Sequence, residues 1–186
     1  MRAIVILVFV VSCLLSGCAA SSYVSQIKQK DLPSLNLPFK VQGIEIIDNR
    51  KNQSTGDIKL PLVSKPNLLI KHVPALTLNH KQLIESVVRE NTSDLGAPVK
   101  AVVNFLEGYK EFSSTWSSEK EKGFVEITIT MVNQETGVPI KECNSSGELF
   151  IESADATNET TEEIYRLTLK NVIYNCLKSM SSQEKK

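Results

Sequence analysis

Apolar and polar residues alternate most cleanly over residues 124–132, where Val125, Ile127, Ile129 and Met131 are interleaved with Glu126, Thr128 and Thr130. A period of two with one apolar side predicts a strand buried on one face and solvated on the other, as in an antiparallel sheet covered on a single side. Residues 99–111 predict a strand of the same kind, with Ala101, Val103 and Phe105 inward. The link between the two, residues 112–123, reads as a long hairpin tip. Gln134-Glu135-Thr136-Gly137 predicts a shorter turn into a third strand over 138–151, bulged near Asn144-Ser145-Ser146-Gly147.

Earlier in the chain, residues 41–48 predict a strand with Ile44 and Ile46 on one face, followed by a polar loop that runs to Gly56. A weaker strand over 68–73 lies between Pro66 and Pro74, which suits an edge position. The pattern then changes to the helical period. Leu83, Ile84, Val87 and Val88 predict a helix over 80–89, capped by Asn79 and stopped by Asp94-Leu95-Gly96. A second helix starts near Asn158, with Thr160 or Thr161 as its cap and Glu162 and Glu163 suited to its positive end, and continues to about Ser179. Strand, weak strand, helix, three strands, helix predicts an α+β domain over 41–180: a mainly antiparallel sheet of about four strands, with two helices on one face. Residues 181–186 read as a frayed tail.

The N-terminus carries a different signal. Arg2 precedes an apolar run over residues 3–15, and Leu15-Ser16-Gly17-Cys18 follows. A run of this length suits a cleaved leader and falls short of the roughly 20 residues of a spanning helix. Leu15-Ser16-Gly17-Cys18 resembles the lipobox of bacterial lipoproteins. That resemblance implies a signal peptide at 1–17 and a mature N-terminus at Cys18 carrying acyl chains, palmitate among them. Ala19, where inner-membrane retention would favour aspartate, implies the outer membrane. Residues 18–40, polar and holding Pro33 and Pro38, then read as a tether between lipid and domain.

Of the four cysteines, Cys13 leaves with the leader and Cys18 is taken by lipid, so Cys143 and Cys176 remain. An even number in an oxidising compartment favours a disulfide, with two separately buried thiols as the alternative.

Charge and composition remove more than they add. Lysines and arginines number 21 and so do aspartates and glutamates, which leaves no basic surplus for nucleic acid. His72 and His80 are the only histidines, and no zinc spacing, nucleotide loop or nucleophile elbow occurs, so neither metal nor cofactor is expected. Glu107 and Glu111 flank Tyr109, and Glu126 sits among threonines, as on a solvated sheet face. Trp116, the one tryptophan, lies among five serines and threonines and is a candidate contact with a partner or ligand, with Tyr109 beside it.

The stretch from Phe105 through Trp116, the alternation from Val125 to Met131, the segment from Glu162 to Leu177 and the early Asp48-Asn49-Arg50 together resemble the YajG-like family of small envelope lipoproteins. The likeness covers most of residues 41–180 and rests on element order and a few polar marks. It implies a fold and no particular activity; the lipid anchor, the tether and the missing catalytic set together predict a periplasm-facing outer-membrane lipoprotein that is no enzyme and acts in envelope assembly, scaffolding or regulation through an envelope protein partner. Two other roles suit the same features: an accessory subunit of a transport or lipid-export system, and a carbohydrate- or peptidoglycan-binding module using Trp116.

Overall fold

The structure, a computed structural model, describes residues 32–63, 65–153 and 156–182. The expected signal peptide, Cys18, most of the tether and residues 183–186 of the tail lie outside the described residues. Elements follow in the order β1 (Leu37–Asp48), β2 (Leu68–His72), α1 (Leu78–Glu90), β3 (Thr92–Ser114), β4 (Glu119–Asn133), β5 (Pro139–Ser153) and α2 (Asn158–Ser182). This is the α+β arrangement that the alternation predicts, with an open sheet of five strands rather than about four.

The 23-residue strand β3 is the spine. On one side it pairs with β4 along almost its whole length, and β4 pairs with β5, all antiparallel. On the other side β1 runs parallel to it from Thr92 to Phe105, and β2 runs antiparallel to it from Lys110 to Ser114. Two strands thus lie end to end along one side of a third. A parallel pair needs a crossover, and α1 lies on that crossover between β1 and β3.

Alternation decides the core. Val99, Ala101, Val103 and Phe105 of β3 and Val125, Ile127, Ile129 and Met131 of β4 are fully buried on one face. Ile84, Val87 and Val88 of α1 and Leu169, Ile173 and Leu177 of α2 close over them. Gly123 permits the close approach of α2: a Cβ there would sit 2.9 Å from the backbone of Tyr165. Cys143 of β5 and Cys176 of α2 form a disulfide, which ties the helix to the outermost strand.

Several boundaries differ from expectation. The first strand begins at Leu37, not residue 41, and Leu37 and Phe39 are buried, so the tether does not extend to Lys40. Pro38 is compatible with this strand because β1 lies at the sheet edge, where a missing N–H costs little. Thr77, not Asn79, caps α1, its hydroxyl accepting from His80 N. Helix α1 ends at Glu90, with Asn91 as its C-cap, and β3 begins at Thr92, so Asp94-Leu95-Gly96 lies in a strand; a Cβ on Gly96 would collide with the backbone of Pro38. Strands β3 and β4 extend into the expected tip, which shrinks to Thr115-Trp116-Ser117-Ser118. The irregularity in β5 falls beside Pro139, where Met131 faces Lys141 and Val132 faces Pro139, and pairing through Asn144–Gly147 is regular. Thr157 caps α2, its hydroxyl accepting from Thr160 N at 3.0 Å, and the helix runs on to Ser182.

Candidate functional site

A register shift between Phe105 and Glu107 reverses the phase of β3. Before it the inward residues are odd-numbered; after it they are Gly108, Lys110, Phe112 and Ser114, all buried. A lysine thereby enters the interior, and a polar network forms around it.

Glu162 of α2 bridges that network. One carboxylate oxygen is paired with Lys110 Nζ, and the other accepts from His80 Nε2 of α1 at 2.8 Å. The tautomer of His80 follows from its second bond: Thr77 N–H donates to Nδ1 at 3.3 Å, so the proton sits on Nε2. One turn on, Tyr165 packs edge-on against the His80 ring, with centroids 5.4 Å apart. Its hydroxyl accepts from Arg50 at 3.1 Å. Arg50, buried in the loop after β1, also donates to Gly108 O at 3.2 Å and holds Asp48 through two bonds of 2.8 and 2.7 Å. Gly108 leaves room for this, because a Cβ there would lie 3.0 Å from the Tyr165 hydroxyl.

Electrostatics divides two neighbouring carboxylates. The hydrogen bond from His80, aided by Lys110 against the opposing effect of burial, lowers the pKa of Glu162 to about 2. Glu121 of β4 is fully buried, and burial pushes it up to about 7 despite bonds from Thr157 N at 2.7 Å and the Thr161 hydroxyl at 3.4 Å. Its second oxygen has no hydrogen-bond partner among the described residues. Burial raises Tyr165 to about 12, so its phenol stays protonated. These groups are spent on one another, and the arrangement fixes the N-terminal ends of both helices to the sheet.

The open face of the sheet has a different character. A cleft of about 140 Å³ lies where neither β1 nor β2 covers β3, lined by Arg50, Lys71, Glu107, Gly108 and Tyr109. Lys71 pairs with Glu107 at 3.2 Å and stands 3.4 Å over the Tyr109 ring, while Phe124 stacks against that ring at 5.1 Å. Glu111 pairs with Lys122. The sequence-predicted candidate Tyr109 is therefore engaged within the sheet, and its ring faces meet Lys71 and Phe124. Among the described residues no group of three histidines, cysteines, aspartates or glutamates lies close enough to hold a metal ion.

Trp116 stands apart at the far end of β3, 88% exposed. The tip that carries it is closed by Thr115 N donating to Ser118 O at 2.9 Å and by Ser117 N and Ser118 N donating to the Thr115 hydroxyl. Leu69 of β2, which pairs with Ser113, is exposed, as are Leu62 and Val63 of the preceding loop, and Lys65 of that loop is tied to the end of β3 by Ser114 Oγ donating to Lys65 O at 2.6 Å. Trp116 and Tyr109 are thus not one site. The sequence names His80 only as one of two histidines and Glu162 only as suited to a helix N-terminus, and it does not single out Lys110 or Glu121, although Glu121 is in phase with the buried residues of β4.

No family model matches this chain, and no curated protein matches its sequence. The chain is similar to solved structures at low identity. A minor lipoprotein of Acinetobacter baumannii is 10% identical, with 79% of this chain and 96% of that chain covered, at a TM-score of 0.43. A Xanthomonas campestris protein of the DUF330 family is 12% identical, with 84% and 91% covered, at a TM-score of 0.46.

Proposed function

We propose that this chain is a lipid-anchored envelope protein of the YajG-like kind, acylated at Cys18 on the periplasmic side of the outer membrane, and that it works by binding rather than catalysis. Its role is assembly, scaffolding or regulation of another envelope component. One observation carries the reading: the only tryptophan is held almost fully exposed on a closed four-residue tip, with Leu69 exposed on the strand that pairs beside the base of that tip. Such an aromatic anchor on a rigid strand pair is the usual centre of a contact surface. Its partner is an envelope protein.

The test replaces Trp116 with a photo-crosslinking residue in the full-length lipidated chain, irradiates cells, and identifies adducts by mass spectrometry, with Cys18→Ala as control. A single protein adduct, lost when Cys18 is changed, is the expected result. An ATP-driven transporter in that adduct would place the chain as a transport or lipid-export subunit. Glycan adducts in place of protein would overturn the protein-partner reading in favour of a carbohydrate or peptidoglycan module. Turnover of an envelope substrate by the purified protein would end the non-catalytic reading.

A further inference from the structure

The end of the domain opposite the Trp116 tip has its own exposed apolar residues. The chain joins the sheet there: Tyr174 Oη donates to Pro33 O at 3.0 Å, Ser34 Oγ donates to Glu90 O, and Leu37 pairs with Thr92 at the start of β3. At the same end Leu95 is 96% exposed. Val138, in the turn from β4 to β5, and Ile140, at the start of β5, are 58% and 46% exposed. Gln134 N, in that turn, donates to Pro98 O, so the β4–β5 turn and the first residues of β3 are neighbours.

Chain length decides what meets this end. Thirteen residues, Ala19 to Asp31, separate Cys18 from the described domain. Fully extended they reach at most about 45 Å. The 23 residues of β3 span about 70 Å from the Leu37 end to the tip. An acyl anchor at Cys18 therefore cannot let the domain stand on its tip. It holds the Leu37 end near the bilayer, and an apolar trio separated by a few strand widths is what such a surface would receive.

We infer that Leu95, Val138 and Ile140 form a membrane-contact edge that dips into the bilayer holding Cys18, and that Trp116 is thereby presented away from that bilayer. The inference rests on the lipid anchor proposed above. It goes beyond that anchor in assigning a second, non-covalent contact and an orientation.

The single native tryptophan supplies the test. Full-length protein purified from membranes is reconstituted into vesicles of phosphatidylethanolamine and phosphatidylglycerol, with and without brominated acyl chains, after intact mass has established the acyl increment on Cys18. Emission from Trp116 should be the same in both. In a Trp116→Phe background, Leu95→Trp and Val138→Trp should each lose at least half of their emission in brominated vesicles. Quenching of Trp116, or acylated protein whose residue-95 and residue-138 tryptophans are both unquenched, would overturn the orientation alone. Absence of the acyl mass would remove the anchor, and the orientation with it.

Discussion

The two halves of β3 do different work, although one strand makes both. From Thr92 to Phe105 it pairs with the parallel β1, and the inward residues from Val99 on are Val99, Ala101, Val103 and Phe105, sealed by both helices. From Lys110 to Ser114 that same side pairs with the antiparallel β2, and the inward residues of this half, Lys110 and Gly108, meet Glu162, Tyr165 and Arg50, with His80 bonded to Glu162. The first half removes apolar surface from water, which drives folding without direction. In the second, directional bonds determine where the helix N-termini come to rest. Burial stabilises; the charged pairs position.

Predictions follow that division, from the largest effect to the smallest. In the apolar half, the Cys143–Cys176 bond closes a separation of 33 residues. Its loss should destabilise the domain by about 4 kcal/mol on loop entropy. Chemical unfolding of the Cys143→Ser, Cys176→Ser protein measures this, and an unchanged urea midpoint would contradict it.

In the polar half, Glu162→Gln leaves Lys110 buried without its counter-charge and should cost about 3 kcal/mol. Adding Lys110→Met should restore most of the loss. If the double variant is no better than the single, the network contributes to stability in its own right and the contrast between the halves weakens.

The pH profile separates the two carboxylates. Glu121 has a folded pKa of about 7, raised above its ordinary 4.5, so its contribution is complete below 4.5 and lost as pH rises to about 7. The loss is about 3 kcal/mol. Glu162 has a folded pKa of about 2, below its ordinary 4.5, so its contribution is complete above 4.5 and lost as pH falls to about 2. Together they put the maximum near pH 4.5, and Glu121→Gln should flatten the alkaline side. A Glu121→Gln profile that still falls between pH 5 and 7 would show that another group is responsible.

Smallest of all, Trp116→Ala should change stability by less than about 0.5 kcal/mol, since the side chain is almost wholly exposed. It should nonetheless abolish partner capture. A large shift in the unfolding midpoint would mean that the tip packs onto the fold.

The same division explains what could be read from the chain. Where alternation is unbroken, as over Val125 to Met131, strand, face and neighbours are all legible. The phase change between Phe105 and Phe112 is present in the sequence, as two phenylalanines an odd number of residues apart that both point inward. A strand without an extra residue could not bury both. That arithmetic would have turned Lys110 inward. Glu121, four residues before Val125, was legible by the same rule. The partners of these residues were not, because His80, Glu162 and Arg50 come from elements distant in sequence that only the folded sheet brings together. The Thr77 and Thr157 caps are obscured by other capping residues two to four positions further on, Asn79 and the Thr160-Thr161 pair, each a valid start by local rules.

The parallel pairing of β1 with β3 has a mechanical consequence. A force applied between the chain where it joins the sheet, at Leu37, and the tip at Trp116 acts along the axes of β1 and β3. The backbone bonds between Leu37 and Asp48 on one strand and Thr92 and Phe105 on the other then share the load together, in shear. A strand peeled sideways would surrender them one by one. A domain pulled from its Leu37 end while its tip is held by a partner resists at the ladder best placed to bear tension.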